Sequence, residues 1–154
     1  MKLYNKEKSV NLIINDDVFK RLMDIGLKNY PNECGGFLVG YYSEDFLTLT
    51  ITDFVLPKKF DSSSFSFSRS IDGLKEILHR IFQLNKHYYI GEWHTHPNGN
   101  SDYSHTDLNA MIEIANCDTI TITNPILLIM SIDKQEMKEF SFYIYNNKGL
   151  YKYE

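Results

Sequence analysis

The sequence predicts an α/β fold in which a mixed β-sheet is flanked by helices. Short runs rich in β-branched and aromatic residues alternate with longer runs whose apolar residues recur every three or four positions. Some of the strand-like runs follow each other after a short turn, which favours hairpins, whereas others are separated by a whole helix. Hairpins and helical connections in one chain indicate a mixed sheet with helices packed on it.

The first strand and helix are predicted between residues 10 and 32. Val10–Ile14 is an apolar, β-branched run, and Asn15–Asp17 supply an N-cap and first-turn acids for a helix. The Tyr30-Pro31-Asn32 segment ends that helix. Its apolar positions are Val18, Leu22, Met23 and Ile25.

A hairpin is predicted next. Gly35–Tyr42 and Phe46–Leu56 are strand-like, and Ser43-Glu44-Asp45 is a turn between them. The segment 57–70 that follows is serine-rich. Near its end, Phe65–Ser68 alternates apolar and polar residues, which predicts a short half-buried strand.

The second half of the chain repeats the alternation of helices and strands. Periodic apolar residues predict helices over Ile71–Leu84 and Ser104–Asn116. The predicted strands are Tyr88–Trp93, Ile126–Ile132 and Phe140–Tyr145.

Size, charge and cysteine content narrow the class of protein. The 154 residues are 43% hydrophobic, which predicts one globular domain over residues 1–154. The net charge of −4 without a basic run gives no reason to expect nucleic acid or an anionic membrane as a partner. Two cysteines are too few for a disulfide framework, and the apolar run near the N-terminus is too short for a signal peptide. We therefore expect a cytoplasmic protein.

The segment Gly91–Met111, GEWHTHPNGNSDYSHTDLNAM, concentrates the residue types that bind metals. His94 and His96 are two positions apart at the end of a predicted strand, so both side chains point to the same face. Zinc accepts imidazole nitrogens but needs a third protein ligand. Asp107, in the first turn of the next predicted helix, is the best candidate, because the polar loop 97–103 can fold back towards the strand end.

Two simpler interpretations stand beside the metal site. Ser104 and Asp107 have the spacing of a capping box, with Ser104 as N-cap and Asp107 at N3. A His-x-His pair alone is more often a solvated loop feature. Capping and metal binding are compatible, since both side chains can serve the helix and the site together.

The complete pattern resembles the signature of JAMM metalloproteases, also called JAB or MPN+ domains. That signature is an upstream glutamate, then His-Ser/Thr-His, seven variable residues, a serine, two variable residues and an aspartate. Its fixed positions are matched by His94, His96, Ser104 and Asp107, and the upstream glutamate by Glu33 in PNECGGFLVG. The predicted element order also fits, so the resemblance covers nearly the whole chain. It implies a single MPN domain with a cytidine-deaminase-like α/β fold.

The resemblance implies a role for each of these residues. His94, His96 and Asp107 would bind one zinc ion per chain. Zinc lowers the pKa of its bound water to about 7, which makes hydroxide available at neutral pH. Glu33 would move a proton from the attacking water to the leaving amine. Ser104 would donate a hydrogen bond to the oxyanion. Without the resemblance, Glu33 reads as a solvated acid at a helix end.

Other candidates are weaker. His105 lies at a variable position inside the signature, and His79 and His87 have no spacing that connects them to it. Cys34 is a conceivable nucleophile or extra ligand, but beside two glycines it reads better as a packing residue. Trp93 is expected to pack under the site or along a substrate groove.

By resemblance, the protein is expected to cleave after the C-terminus of a ubiquitin-like protein, from a conjugate or a precursor. The short segment 57–70 resembles compact prokaryotic JAB proteins, so a role in a bacterial antiphage operon of the CBASS kind is a hypothesis.

A JAB hydrolase of small peptides or sulfur-carrier adducts is the main alternative. A second alternative is a non-catalytic MPN scaffold, which is disfavoured because such scaffolds usually lack some of the metal residues and all are present here. A third is a PHP-type phosphoesterase, which is disfavoured because that family needs more histidines and acids on a longer chain. The sequence leaves the oligomeric state open, and a dimer is compatible with it.

Overall fold

The computed structural model describes residues 1–63, 67–118 and 122–154, and within these ranges it contains ten strands and three helices. The helices are α1 (Asp16–Asn29), α2 (Leu74–Asn85) and α3 (His105–Ala115). The strands of the first half are β1 (Lys2–Asn5), β2 (Val10–Ile14), β3 (Gly35–Tyr42), β4 (Thr48–Val55), β5 (Phe60–Ser62) and β6 (Phe67–Arg69). Those of the second half are β7 (Tyr88–Pro97), β8 (Ile126–Ile132), β9 (Met137–Asn146) and β10 (Gly149–Lys152).

Eight of these strands form one mixed sheet in the order β1-β2-β4-β3-β7-β8-β9-β10. The pairs β2–β4 and β7–β8 are parallel and the others are antiparallel. The ends of the sheet meet, because Tyr4 and Glu154 exchange two backbone hydrogen bonds of 3.0 Å. The sheet is therefore nearly closed. Strands β5 and β6 form a separate two-stranded sheet.

The apolar core lies on both faces of β8, an interior strand between β7 and β9. Alternate residues of this strand, beginning with Ile126, pack with Val18 and Leu22 of α1. The residues between them, Leu127 and Ile129, pack with Met111 of α3. A strand buried on both faces reads as a continuous apolar run, as ILLIMSI does.

The predicted α/β class is confirmed, and most predicted elements lie within a few residues of the observed ones. The β4 strand begins at Thr48 because Phe46, predicted to be in the strand, has a left-handed φ of 58° in the turn. Helix α2 begins at Leu74 rather than at Ile71, since Gly73 precedes it with φ 72°. The short strands β1, β5 and β10 were not predicted. Residues 65 and 66 of the predicted strand Phe65–Ser68 lie outside the described residues.

None of the helices in the described ranges is long and apolar enough to cross a membrane.

Candidate metal centre

His94 and His96 lie on β7, which continues four residues beyond its predicted end at Trp93. The strand keeps its pairing with β8 through Pro97, opposite Ile132, so both histidines belong to regular sheet. Their side chains share one face, whereas Thr95 between them is fully buried on the other. This confirms the predicted same-face geometry.

Asp107, from the first turn of α3, meets the two histidines. The Nε2 atoms of His94 and His96 are 3.0 Å apart, and Asp107 Oδ1 is 3.3 Å from His94 Nε2. The His96 Nε2 to Asp107 Oδ2 distance is 4.0 Å. In the described part of the chain, these three residues are the one group of His, Cys, Asp and Glu side chains close enough to hold a metal ion.

The donor set fits a zinc ion. Two ligands of a tetrahedral zinc stand about 3.3 Å apart when each bond is about 2.0–2.1 Å long. The closest donor pairs already have such separations, and all three ligating atoms lie within 4.8 Å of one another. The side chains are 13%, 19% and 14% exposed, so the cluster is shielded but still open to a fourth ligand.

The tautomer of His96 suits metal binding. Its Nδ1 atom lies 2.9 Å from the carbonyl oxygen of Asn100. A carbonyl oxygen only accepts hydrogen bonds, so Nδ1 carries the proton and the Nε2 lone pair faces the other ligands. Such a second hydrogen bond usually sets the orientation of a metal-binding histidine.

Asp107 is oriented by the helix cap. The Ser104 N–H and the Ser104 hydroxyl both donate to Asp107 Oδ2 at 2.7 Å, and the Asp107 N–H donates back to Ser104 Oγ at 3.2 Å. This is the predicted capping box. Because the cap engages Oδ2, it leaves Oδ1 towards His94. Asp107 therefore caps α3 and belongs to the cluster at the same time.

Glu33 lies beside the cluster, in the short connection between α1 and β3. Its N–H donates to the carbonyl oxygen of Ser63 at 2.7 Å, and its side chain is half-buried. Burial raises the pKa of the Glu33 carboxyl above its ordinary value, an effect that His96 opposes and the Asp107 carboxylate reinforces. The Glu33 carboxyl is therefore electrostatically coupled to two members of the cluster.

A close approach of β3 to β7 sets the position of Glu33. Gly35 pairs with His94, and a Cβ at Gly35 would lie 2.3 Å from the carbonyl oxygen of Trp93. Only glycine allows backbones to come so near. Thr95 adds a second link, because its hydroxyl and its backbone both bond to Cys34. Thr95 was not predicted from the sequence, where its signal is its place between two histidines on a strand.

The other residues considered from the sequence lie outside the cluster, as predicted. Cys34 is a buried core residue, and burial raises the pKa of its thiol to about 11, which disfavours the reactive thiolate. Trp93 is buried beneath the site against Phe54. His87 bonds Thr52 instead of joining the cluster. The exposed histidines outside the cluster are His79 and His105.

Comparison with known proteins identifies the family. Residues 15–144 match the family described as prokaryotic homologs of the JAB domain. A protein named CD-NTase/cGAS isopeptidase, from Enterobacter hormaechei subsp. hoffmannii (strain UCI 50), is 32% identical over 123 residues, which are 79% of this chain and 68% of that protein. The solution structure of protein DSY2949 from Desulfitobacterium hafniense has a TM-score of 0.63 at 14% identity, covers 92% of this chain and 88% of that chain, and supports the fold alone. The chain belongs to the prokaryotic JAB-domain family.

Proposed function

We propose that this protein is a JAMM-type zinc isopeptidase that cleaves after the C-terminus of a ubiquitin-like protein. The observation that carries the proposal is the convergence of His94, His96 and Asp107 within 4.8 Å of one another, beside Glu33. Membership of the JAB family and the isopeptidase named among its relatives support the same reaction.

In this proposal the ligands of one zinc ion per chain are His94 Nε2, His96 Nε2 and an oxygen of Asp107. Two neutral imidazoles and one carboxylate are the ligand types of hydrolytic zinc sites, which keep a fourth position open. When bound, zinc supplies Lewis acidity towards a water and towards the substrate carbonyl.

Glu33 moves the protons of the reaction. Its carboxylate takes a proton from the attacking water as the water oxygen bonds to the carbonyl carbon of the isopeptide. The same carboxyl then gives the proton to the lysine Nζ as the C–N bond breaks. The partial burial that raises the pKa of Glu33 helps it to hold a proton between these two steps.

Ser104 supplies a donor for the oxyanion. Its hydroxyl has one proton, which bonds Asp107 Oδ2, while its oxygen accepts from the Asp107 N–H. Rotation of the hydroxyl redirects that proton towards substrate without breaking the acceptance from Asp107 N–H. Ser104 therefore serves the cap in the free protein and the oxyanion during the reaction.

The substrate tail is expected beside the β5–β6 sheet. Ser63, which directly follows β5, bonds the backbone of Glu33, so this small sheet borders the reacting groups. An extended tail that adds to such an edge gains backbone hydrogen bonds.

The name of the Enterobacter relative makes a CD-NTase conjugate the first substrate to test, in a cytoplasmic antiphage system of the CBASS kind. We further infer that residues 1–154 form a single domain.

The test combines metal analysis with substrate trapping. Protein purified without chelators is expected to contain about one zinc per chain. Glu33→Gln is expected to keep the zinc, abolish cleavage of a ubiquitin-like conjugate and retain that conjugate when expressed in the native host. Glu113→Gln, an exposed glutamate on α3, is the matched control and should cleave normally.

Three results would redirect the proposal. A well-folded protein that ignores added zinc would rule out a zinc enzyme. Activity retained in Glu33→Gln would move the general base to another residue. Hydrolysis of short peptides or sulfur-carrier adducts, with no cleavage of protein conjugates, would favour the small-substrate alternative.

A further inference from the structure

The loop between the metal-binding strand and α3 contains one buried residue. Ser101 is 2% exposed, whereas residues 98–100 and 102–104 around it are exposed. A polar residue that is buried in an otherwise solvated loop is held there by its hydrogen bonds. Its partners are three alternate residues of β9, namely Glu139, Ser141 and Tyr143.

Ser101 uses every polar group it has in these contacts. Its N–H donates to Glu139 Oε1 at 2.7 Å, and its hydroxyl lies 2.7 Å from that of Ser141. The Tyr143 hydroxyl donates to the Ser101 carbonyl oxygen at 2.9 Å. Strand residues two apart share a face, so Ser101 makes all three of these hydrogen-bond contacts with one face of β9.

A single peptide group connects this anchor to the metal centre. The N–H of Ser101 and the carbonyl of Asn100 belong to the same planar unit. That carbonyl accepts the proton of His96 Nδ1 at 2.9 Å, while the N–H donates to the Glu139 carboxylate. The sequence of groups is thus imidazole, peptide and carboxylate. Hydrogen bonds in such a chain polarise one another, so the carboxylate strengthens the bond to His96.

We propose that Glu139 is a positioning residue for the metal and acts on His96 through the Asn100–Ser101 peptide. This inference rests on the proposed zinc site but concerns residues outside the family's metal signature. Metal-binding histidines commonly donate their second N–H to a carboxylate or a carbonyl, which fixes the tautomer and raises ligand basicity. Here a carbonyl makes the contact and a carboxylate supports the carbonyl from behind. Ser141 keeps the peptide in register by holding the Ser101 hydroxyl.

The neighbouring strand strengthens the same loop. Ser131 of β8 lies opposite Glu139 in the register and donates its hydroxyl proton to the Gly99 carbonyl oxygen at 2.6 Å. The Asn98 N–H donates to the carbonyl of Ile132 at 2.8 Å. These bonds hold the loop without touching the Asn100–Ser101 peptide, so the loop keeps its path when Glu139 is changed.

The first experiment measures zinc affinity by competition with a chromophoric chelator. Glu139→Ala and Ser141→Ala are expected to bind zinc about tenfold more weakly than the wild type. Glu139→Gln should lie between, since its amide oxygen still accepts from the Ser101 N–H but carries no charge. Glu136→Ala is the matched control, because that carboxylate bonds Lys138 and should leave zinc affinity unchanged. Wild-type affinity in Glu139→Ala would overturn the inference.

The second experiment separates this inference from the proposed function. In the metal-free protein, proton–nitrogen NMR should detect His96 with its proton on Nδ1 and in slow exchange with water. Glu139→Ala should speed that exchange and increase the Nε2–H tautomer. An unchanged tautomer and exchange rate in Glu139→Ala would refute the positioning role, even if zinc binds. A wild type that binds no zinc would refute the proposed function instead. Glu139 is exposed, so this variant is expected to fold even if Ser141→Ala does not.

Discussion

Thr95 holds Cys34 at both of its backbone groups. The Cys34 N–H donates to Thr95 Oγ1 at 3.0 Å, and the Thr95 N–H donates to the Cys34 carbonyl oxygen at 2.8 Å. Cys34 directly follows Glu33, and Thr95 lies between the two histidines. The pair therefore joins the segment that carries the proposed general base to the strand that carries two proposed metal ligands.

Replacement of Thr95 by valine should separate proton transfer from metal binding. Valine keeps the shape but removes the acceptor of the Cys34 N–H, so Glu33 loses one constraint. Small displacements of reacting groups can cost up to about 100-fold in rate. We expect kcat of Thr95→Val to fall about 10- to 100-fold, with KM and zinc content unchanged. Steady-state kinetics and metal analysis of the same preparation measure these quantities.

Thr95→Ser is the matched variant for that test. Serine keeps the hydroxyl but loses the methyl group that packs near Gly26 of α1. Its kcat should remain close to the wild-type value, although its stability falls because of the lost packing. Equal kcat in all three proteins would show that the hydroxyl does not position Glu33.

Asp107 allows the helix cap and the metal ligand to be tested apart. In Asp107→Asn, the amide oxygen can still accept from the Ser104 N–H, so α3 should keep most of its capping energy. A neutral amide is a poor zinc ligand, and affinity should fall by more than the roughly 10–100-fold typical of an outer-sphere change. Asp107→Ala should lose the zinc and also about 0.3–1.5 kcal/mol of stability in the metal-free protein.

The measurements for Asp107 are chelator competition and denaturant unfolding of the metal-free proteins. If Asp107→Asn binds zinc as the wild type does, Asp107 is a capping residue and the third ligand lies elsewhere. If Asp107→Asn loses as much stability as the alanine variant, the cap depends on the charge.

Asp133 gives the hairpin between β8 and β9 an acid-sensitive contribution to stability. Its carboxylate bonds Lys138 Nζ at 2.9 Å and accepts from the N–H groups of Gln135 and Glu136. The hydrogen bond from Lys138, followed by those of the backbone, lowers the pKa of Asp133 to about 2. A carboxyl with a lowered folded-state pKa stabilises the protein above its unfolded pKa of about 3.9 and loses that effect as the pH falls towards 2.

The stability difference between wild type and Asp133→Asn should follow this dependence. It should be constant from neutral pH down to about pH 4 and shrink between about pH 4 and 2. Urea unfolding across that range measures it, and Lys138→Met should reduce the same difference. A difference that does not change with pH would assign the stabilisation to turn geometry rather than to charge.

The buried strands and the metal signature were predictable because their signals are local. The apolar run of β8 and the helical periods of α1 and α3 each specify one element. The spacing of His94 and His96 specifies a common face once a strand is assumed. Glu33 was different, because its place beside the cluster was predicted from the resemblance alone.

What the sequence did not predict depends on contacts between distant segments. Residues of β1 form a strand by pairing with β2, and Tyr4 exchanges backbone hydrogen bonds with Glu154, far along the chain. The partners of Ser101 likewise come from β9, some forty residues later. No local pattern distinguishes Ser101 from its exposed neighbours in the loop. Residue composition can indicate such a loop, but not which residue anchors it.

Gly35 is expected to tolerate no side chain. In Gly35→Ala the new Cβ would meet the Trp93 carbonyl oxygen at 2.3 Å and the His94 Cβ at 2.9 Å, so β3 and β7 must move apart. Overpacking of this kind typically costs about 1–3 kcal/mol. The shift also carries Glu33 away from the cluster, so kcat should fall more than zinc affinity. Gly149→Ala, whose Cβ would have the Tyr151 side chain as its nearest neighbour, at 3.3 Å, is the control. Unfolding and kinetic measurements on both variants test the prediction, and a Gly35→Ala protein with normal stability and kcat would contradict the close approach.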